Sequence, residues 1–111
     1  MNEDTAYCMV QTTLPSEAQA AQLAQQLVQA RLGACVQLQP IRSFYVWQDR
    51  AHDEAEWLLS IKTRAALYPA LQQWLLAHHP YETPEIIALP VLAGSAAYLG
   101  WIDAQTGAAP A

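Results

Sequence analysis

Two long strand patterns that follow each other with only a short polar break constrain the fold of this chain most. Residues 35–47 and residues 53–63 are rich in β-branched, aromatic and other apolar side chains, which favours extended strands. Residues 48–51 between them, Gln-Asp-Arg-Ala, are polar and typical of a turn. Apolar and polar residues alternate in residues 53–63, so one face of that strand is expected to be buried. Two long strands joined by so short a break predict a β-hairpin.

Strand and helix patterns flank this hairpin on both sides. Short runs of apolar and β-branched residues predict two further strands, and apolar residues spaced three and four apart predict two long helices. The outer strands and the two helices cover residues 5–13, 18–32, 67–78 and 85–92. Gly33 is expected to end the first helix. Pro69 belongs in the first turn of the second helix, and Pro80 ends it. A short helix is predicted to begin after Gly94-Ser95.

The order of these elements is β-α-β-β-α-β followed by the short helix. Because each β-α-β crossover is right-handed, both long helices are expected on one face of an antiparallel four-stranded sheet. The sequence therefore predicts an α+β ferredoxin-like sandwich. Pro40 and Pro90 cannot donate a ladder hydrogen bond, so their strands are expected at sheet edges or bulges. Residues 1–111 are predicted to form one domain, with an ordered core over 5–104 and a frayed tail over 105–111.

The other face of the predicted sheet has no long helix to cover it. Two helices cannot cover all of the large aromatic residues of the strands and the last helix, so an interface between copies of this chain is expected. The aromatic residues predicted at this interface are Tyr45, Trp47, Trp57 and Trp101. Charged residues make up only 14% of the sequence, which also favours a partly covered surface.

Charge and hydropathy argue against several classes of function. The formal net charge is −5, and among the basic residues only Lys62 and Arg64 lie close together, so no nucleic-acid partner is expected. No apolar run approaches the ~20 residues that span a bilayer, so no membrane partner is expected. The first four residues, Met-Asn-Glu-Asp, are unlike a signal peptide and predict a cytoplasmic protein. Cys8 and Cys35 are then expected to be free thiols.

Residues 78–86 gather the most chemically capable side chains. His78 and His79 carry imidazoles, which bind copper and zinc well. Adjacent residues on a helix point about 100° apart, so the pair alone does not form a chelate. The alternative is that both histidines bond the free carbonyl groups of the last helical turn.

A second candidate group combines Lys62 with residues of the same loop. The loop residues are Tyr81, Glu82 and Glu85. Together the group could hold a small anion or transfer protons, but an ion pair that fixes the loop is the interpretation we favour. The sequence shows no nucleophile paired with a base and no Gly-rich phosphate loop. The chain is therefore not predicted to be an enzyme.

Several short blocks resemble the CutA family of divalent-ion tolerance proteins in order and spacing. The blocks are Ala34-Cys35-Val36, Phe44-Tyr45-Val46-Trp47, Lys62-Thr63, His79-Pro80-Tyr81, Pro84-Glu85-Ile86, Leu89-Pro90 and Tyr98-Leu99-Gly100-Trp101-Ile102. The resemblance covers about residues 7–103. It implies a ferredoxin-fold homotrimer built like the PII signalling proteins, with the long hairpins pairing between subunits.

The resemblance also implies a site and a function. In bacterial members of the family, copper is assigned to a cysteine at the end of the first strand and to two histidines, which correspond here to Gln11, His78 and His79. A glutamine is a poor copper ligand in place of a thiolate, and Cys8 is expected on the opposite face of the strand. The implied function is binding of copper or another divalent cation in divalent-cation tolerance. The alternative is a PII-like trimeric scaffold or sensor, whose clefts between subunits hold a small ligand or a partner protein.

Overall fold

Strands and helices alternate along the part of the chain that the structure describes. The computed structural model describes residues 5–107, and no helix within them has the length and apolar character needed to cross a membrane. The strands are β1 (Tyr7–Leu14), β2 (Cys35–Trp47), β3 (Arg50–Arg64) and β4 (Ile87–Pro90). The α-helices are α1 (Glu17–Gln29), α2 (Tyr68–His78) and α3 (Ala96–Gln105), and a 3-10 helix at Ala65–Leu67 leads into α2. The predicted order of elements in a small α+β fold is confirmed.

The four strands form one antiparallel sheet in the order β2-β3-β1-β4. β2 and β4 are therefore its edge strands. Pro40 lies in β2 and Pro90 ends β4, which confirms the expectation that these prolines occupy sheet edges, where a residue without an N–H is best tolerated. β1 and β2 both run antiparallel to β3, so α1 connects two strands that are parallel to each other.

A two-residue turn joins β2 to β3. Trp47 pairs with Arg50, and the two residues between them, Gln48 and Asp49, have positive φ values of 52° and 61°. Two consecutive residues with positive φ indicate a type I′ turn, whose twist suits an antiparallel hairpin. The turn predicted over residues 48–51 is therefore too long, because its second half already belongs to β3.

Both long helices pack on the same face of the sheet. Alternate residues of β1 and β3 point to this face and form one buried cluster with apolar residues of α1 and α2. The cluster consists of Cys8, Val10, Leu14, Ala20, Leu23, Leu27, Leu59, Ile61, Leu71 and Leu75. Trp57 is half-buried and packs against this cluster. Cys8 and Cys35 are free thiols, as predicted.

The C-terminal helix α3 is held by polar contacts from the strands. The Tyr7 hydroxyl donates to Asp103 at 2.8 Å, and Arg64 Nε donates to Thr106 Oγ1 at 2.8 Å. Tyr7 and Arg64 alternate with buried core residues, so α3 packs on the face away from α1 and α2. The tail predicted from Gln105 onward is shorter, because α3 includes that residue and Thr106 is buried. The last part of that predicted tail lies outside the described residues.

The first helix ends earlier than predicted, and Gly33 does not cap it. Arg31 takes the left-handed conformation, with a φ of 60°. The N–H of Arg31 donates to the carbonyl of Val28, and the N–H of Leu32 donates to the carbonyl of Leu27. This pair of bonds is a Schellman motif, which satisfies the last carbonyl groups of α1. The expectation for Gly33 is therefore wrong, because a left-handed arginine closes the helix.

Gly33 is instead required for close packing. A Cβ at this position would lie 2.8 Å from Ile61 Cγ2 and 3.3 Å from Val36 Cγ2. We expect Gly33→Ala to lower the free energy of unfolding by about 1–2 kcal/mol, because the side chains of Ile61 and Val36 must shift to accept the methyl group. Urea unfolding measures the change. Gly100→Ala is the matched control, because a Cβ added at this position would have no neighbouring atom within 4 Å and alanine favours a helix interior. An equal loss in both variants would contradict the packing explanation.

The last strand is shorter than predicted at both ends. It spans only Ile87–Pro90, so Glu85 and Ile86 precede the strand rather than begin it. The side chain of His79 is hydrogen-bonded to the carbonyl oxygen of Thr13, which lies on β1 just beyond the segment that pairs with β4. An extended β4 would need that acceptor for its own ladder, so the contact limits the strand.

Candidate functional site

The two adjacent histidines enter different surroundings. His78 is the last residue of α2, and His79 is the extended residue that follows it, with φ −81° and ψ 138°. Pro80 disfavours a helical conformation for the residue before it, so the helix stops at this point. The change in backbone conformation leaves His78 exposed and places His79 half-buried against β1.

His78 is anchored to its own helix. Its ring stacks on that of Trp74 with the centroids 3.9 Å apart, and its Nδ1 lies 2.7 Å from the Trp74 carbonyl oxygen. A carbonyl oxygen only accepts hydrogen bonds, so Nδ1 carries the proton and Nε2 keeps its lone pair. His78 thus bonds a carbonyl group of the last helical turn and leaves one ring nitrogen open to a ligand.

His79 uses both of its ring nitrogens within the chain. Its Nε2 lies 2.9 Å from the carbonyl oxygen of Thr13 and 3.0 Å from Thr12 Oγ1. Its Nδ1 lies 3.1 Å from the backbone nitrogen of Tyr81, whose N–H donates to it. Since a carbonyl only accepts and a backbone N–H only donates, Nε2 carries the proton and the lone pair of Nδ1 is occupied. The contacts therefore select one neutral tautomer.

Burial lowers the pKa of His79 below its ordinary value of 6.5, although the bond to Thr13 and the charge of Glu56 raise it. The unfolded chain therefore takes up this proton at a higher pH than the folded chain. The stability that neutral His79 contributes to the folded chain is complete above pH 6.5 and is lost as the pH falls through the lowered pKa. We expect acidification to weaken the wild type more than His79→Gln, whose side chain does not titrate. Urea unfolding across a pH series measures this, and parallel profiles would contradict it.

The fold separates Gln11 from His79. Successive strand residues face opposite sides of the sheet, and Thr12, which contacts His79, lies on the helix side. Gln11 lies on the other side, where its Nε2 donates to Ser60 Oγ at 3.5 Å. Cys8 is buried in the core, and this burial raises the pKa of its thiol. Cys8 therefore does not bring a thiolate to His79 in place of Gln11.

These positions do not fit a copper ion held by His78, His79 and Gln11. The imidazole of His79 has no free nitrogen, and the side-chain amide of Gln11 lies on the opposite face of the sheet. Within residues 5–107, no three side chains of His, Cys, Asp or Glu gather closely enough to hold a metal ion. A metal site in this chain would therefore need other ligands than the implied set.

Tyr81 connects the loop after α2 to β3. Its hydroxyl donates to Glu56 Oε2 at 2.8 Å, and only 7% of Glu56 is exposed. Burial and then the hydrogen bond to Glu56 raise the pKa of Tyr81 above its ordinary value of 10.0, so the phenol stays protonated. The sequence pattern does not identify Glu56 as a site residue. No local pattern links residues 25 positions apart, and only the folded sheet brings them together.

The structure divides the group predicted around Lys62. Its loop members line one cleft, namely Tyr81, Glu82 and Glu85. Lys62 lies near the other end of β3, with its Nζ 5.5 Å from the centroid of the Tyr98 ring. A strand rises about 3.3 Å per residue, so Lys62 is about 20 Å along β3 from Glu56. The favoured ion pair between Lys62 and the loop glutamates is therefore not formed.

A cleft of about 560 Å³, termed the hairpin cleft, opens between the β2–β3 hairpin and the loop after α2. Its lining residues are Thr13, Ser43, Phe44, Tyr45, Trp47, Glu56, Tyr81, Glu82, Thr83 and Glu85. The lining combines aromatic rings with three glutamates and contains no lysine or arginine. Such surroundings suit a cationic or aromatic ligand and disfavour an anion.

Large apolar side chains are exposed at the outer end of the hairpin. Phe44 is 72% exposed and Val46 is 71% exposed. Three of the aromatic residues predicted at an interface are also on the surface of the chain, namely Tyr45, Trp47 and Trp101. The fourth, Trp57, packs against the core of its own chain and is not available to a second copy in the same way.

Comparison with known proteins points to one family. Residues 8–105 match the family model described as CutA1 divalent ion tolerance protein. The chain is 42% identical over 100 residues to the divalent-cation tolerance protein CutA of Thermus thermophilus, covering 89% of this chain and 97% of that protein. It is 44% identical over 95 residues to protein CutA of Homo sapiens, covering 85% of this chain and 53% of the human protein, so it spans about half the length of that relative. Its structure is similar to that of CutA from Synechococcus elongatus PCC7942, with a TM-score of 0.89, 41% identity and coverage of 92% and 91% of the two chains.

Proposed function

This chain belongs to the family of CutA1 divalent ion tolerance proteins, and from that membership we propose that it contributes to divalent-cation tolerance as a PII-like homotrimer. The family predicted from the short sequence blocks is thus confirmed. Each subunit is proposed to be a ferredoxin-like sandwich. The strand order β2-β3-β1-β4 and the packing of α1 and α2 on one face support this topology.

The exposed end of the hairpin supports self-association. β2 is an edge strand, so its outer side is available to pair with another strand. It carries four consecutive large apolar residues, Phe44–Trp47, each at least 40% exposed. These side chains alternate between the two faces of the hairpin, and large exposed apolar side chains beside an open strand edge are typical of an interface. Pairing of this hairpin with a second copy would cover both the strand edge and the apolar side chains.

Sedimentation equilibrium of the purified protein tests the assembly. At micromolar concentration we expect a mass of three chains, each of 12.2 kDa. A mass of one chain under these conditions would contradict the proposed homotrimer, and with it the pairing of hairpins.

We propose that the hairpin cleft holds the ligand or partner through which the assembly acts. The hairpin that lines this cleft is also the segment proposed to pair between subunits, so each cleft lies beside a neighbouring copy. The volume of the cleft and its mixed aromatic and acidic lining support a scaffold or sensor role. They support it better than the positions of His78, His79 and Gln11 support a copper site.

Native mass spectrometry of tag-free protein from a cell extract discriminates between the two roles. A small molecule or protein that co-purifies without metal supports the scaffold or sensor. Copper or another divalent cation bound at one ion per chain, with no other ligand, favours direct metal binding instead. Copper is the first cation to test, because nitrogen ligands bind it more tightly than the other common divalent first-row metals.

The proposed role is one of binding rather than catalysis, in the cytoplasm. Tyr81 and Glu56 are hydrogen-bonded to each other, which supports a structural use of these two cleft residues. The net charge of −5 and the glutamates of the cleft are unfavourable for a nucleic-acid partner. A membrane partner is likewise not part of the proposal.

A further inference from the structure

The neighbouring histidines at the end of α2 differ in the number of ring nitrogens that are free. We infer that His79 is not a metal ligand in this chain but a positioning residue, which holds the loop that lines the hairpin cleft against β1. His78 keeps one free nitrogen and serves as the comparison. Every contact involved lies within one chain, so the role of His79 does not depend on the proposed homotrimer.

A metal ion needs a ring nitrogen with an available lone pair, and His79 has none to offer. Its Nδ1 accepts the N–H of Tyr81, and its Nε2 donates to the carbonyl of Thr13. Binding through Nδ1 would leave the Tyr81 N–H without its acceptor. Binding through Nε2 would require the proton to move to Nδ1, which breaks both bonds together. Each broken bond lowers the metal affinity about tenfold.

The same contacts connect β1 to the wall of the cleft. Thr12 and Thr13 hold the ring of His79. The ring then accepts the N–H of Tyr81, and the two rings contact each other with their centroids 5.0 Å apart. The Tyr81 hydroxyl donates in turn to the buried carboxylate of Glu56. Tyr81 and Glu56 line the hairpin cleft and His79 does not, so His79 positions a wall of the cleft without lining it.

His78 lacks these constraints. Its Nδ1–H donates to the carbonyl of Trp74, whereas its Nε2 carries a free lone pair on an exposed side chain. A cation can therefore bind Nε2 without breaking a hydrogen bond. The two histidines have the same chemistry and adjacent positions, and they differ only in their contacts.

Zinc titration of the full, tag-free protein tests the inference when it is followed by long-range ¹H–¹⁵N NMR of the histidine rings. Before zinc is added, we expect His79 as the Nε2–H tautomer and His78 as the Nδ1–H tautomer. With zinc, we expect the nitrogen resonances of His79 to stay unshifted, whether or not His78 Nε2 shifts. A zinc-dependent shift of either His79 nitrogen, or an Nδ1–H tautomer of His79 in the free protein, would overturn the inference.

Two adjacent substitutions of the same kind provide a second measurement. His78→Gln and His79→Gln each replace an imidazole with an amide, which binds copper poorly. We expect copper affinity to be unchanged in His79→Gln. The Tyr81 N–H resonance should shift in that variant and stay in place in His78→Gln, because only His79 supplies its acceptor. Copper affinity lost in folded His79→Gln, or an unmoved Tyr81 resonance, would count against the positioning role. If His79→Gln does not fold, the zinc titration of the wild type decides.

Discussion

Val46→Lys at the end of the hairpin is expected to dissociate the proposed homotrimer into single chains. Val46 is 71% exposed and lies between two exposed aromatic residues on the edge strand β2. A lysine there puts a charge where pairing hairpins would exclude water, and removing that charge from water is costly. Truncation of a hot-spot residue at the centre of an interface costs about 2 kcal/mol or more, and we expect a loss of this size at each interface of the closed ring.

Sedimentation equilibrium at micromolar protein measures this effect as a fall toward the mass of one chain, 12.2 kDa. Leu92→Lys is the matched control, because Leu92 is 96% exposed but lies outside the strands. The control receives the same change of charge and is expected to keep the wild-type mass. A trimer that survives Val46→Lys would locate the interface away from the hairpin end.

Tyr81→Phe is expected to lower the free energy of unfolding by about 3 kcal/mol, the upper range for a hydrogen bond to a charged group. The Tyr81 hydroxyl donates to Glu56 Oε2 at 2.8 Å, and Glu56 is only 7% exposed. The phenyl ring of the variant fills the same space but leaves a buried carboxylate without this donor. Urea unfolding at one protein concentration measures the loss, since the stability of an assembly depends on concentration.

Tyr68→Phe provides the matched control for the loss of a tyrosine hydroxyl. Tyr68 donates to the Gln72 amide at the same distance, 2.8 Å, but in an exposed position. Water can replace this bond, so we expect a change of about 0.5 kcal/mol or less. Adding Glu56→Gln to Tyr81→Phe should recover part of the loss, because a neutral amide is less costly to bury than a carboxylate. Equal losses in the two tyrosine variants would contradict the buried-carboxylate explanation.

Short-range chemistry explains why the order of elements could be predicted. Ser95 caps α3 by accepting the N–H of Tyr98, and Pro69 lies in the first turn of α2. Both effects act within a few residues, which is the range that a local pattern records. The end of α1 could not be predicted in this way. Arg31 supplies the left-handed residue, while Gly33 is needed for a contact with β3 that exists only in the folded chain.

The candidate site could be predicted only as a set of capable side chains. The partners of His79 in β1 lie 66 and 67 positions away, and Glu56 lies 25 positions from Tyr81. Strand register determines these pairings. A shift of one residue would exchange the faces of Gln11 and Thr12, because side chains alternate along a strand. The separation of Gln11 from His79 therefore follows from the sheet and not from the spacing of the residues.

Local residue patterns and short motifs are enough to predict the types and order of the helices and strands and the family, because these depend on residues that lie close together in the chain. The tertiary structure alone decided which groups are free to bind. His78 and His79 are equivalent as residues in a sequence, yet folding brings hydrogen-bond partners to both ring nitrogens of His79 and to only one ring nitrogen of His78. A ring nitrogen that a neighbour already occupies is no longer available to a metal ion, whatever its residue type.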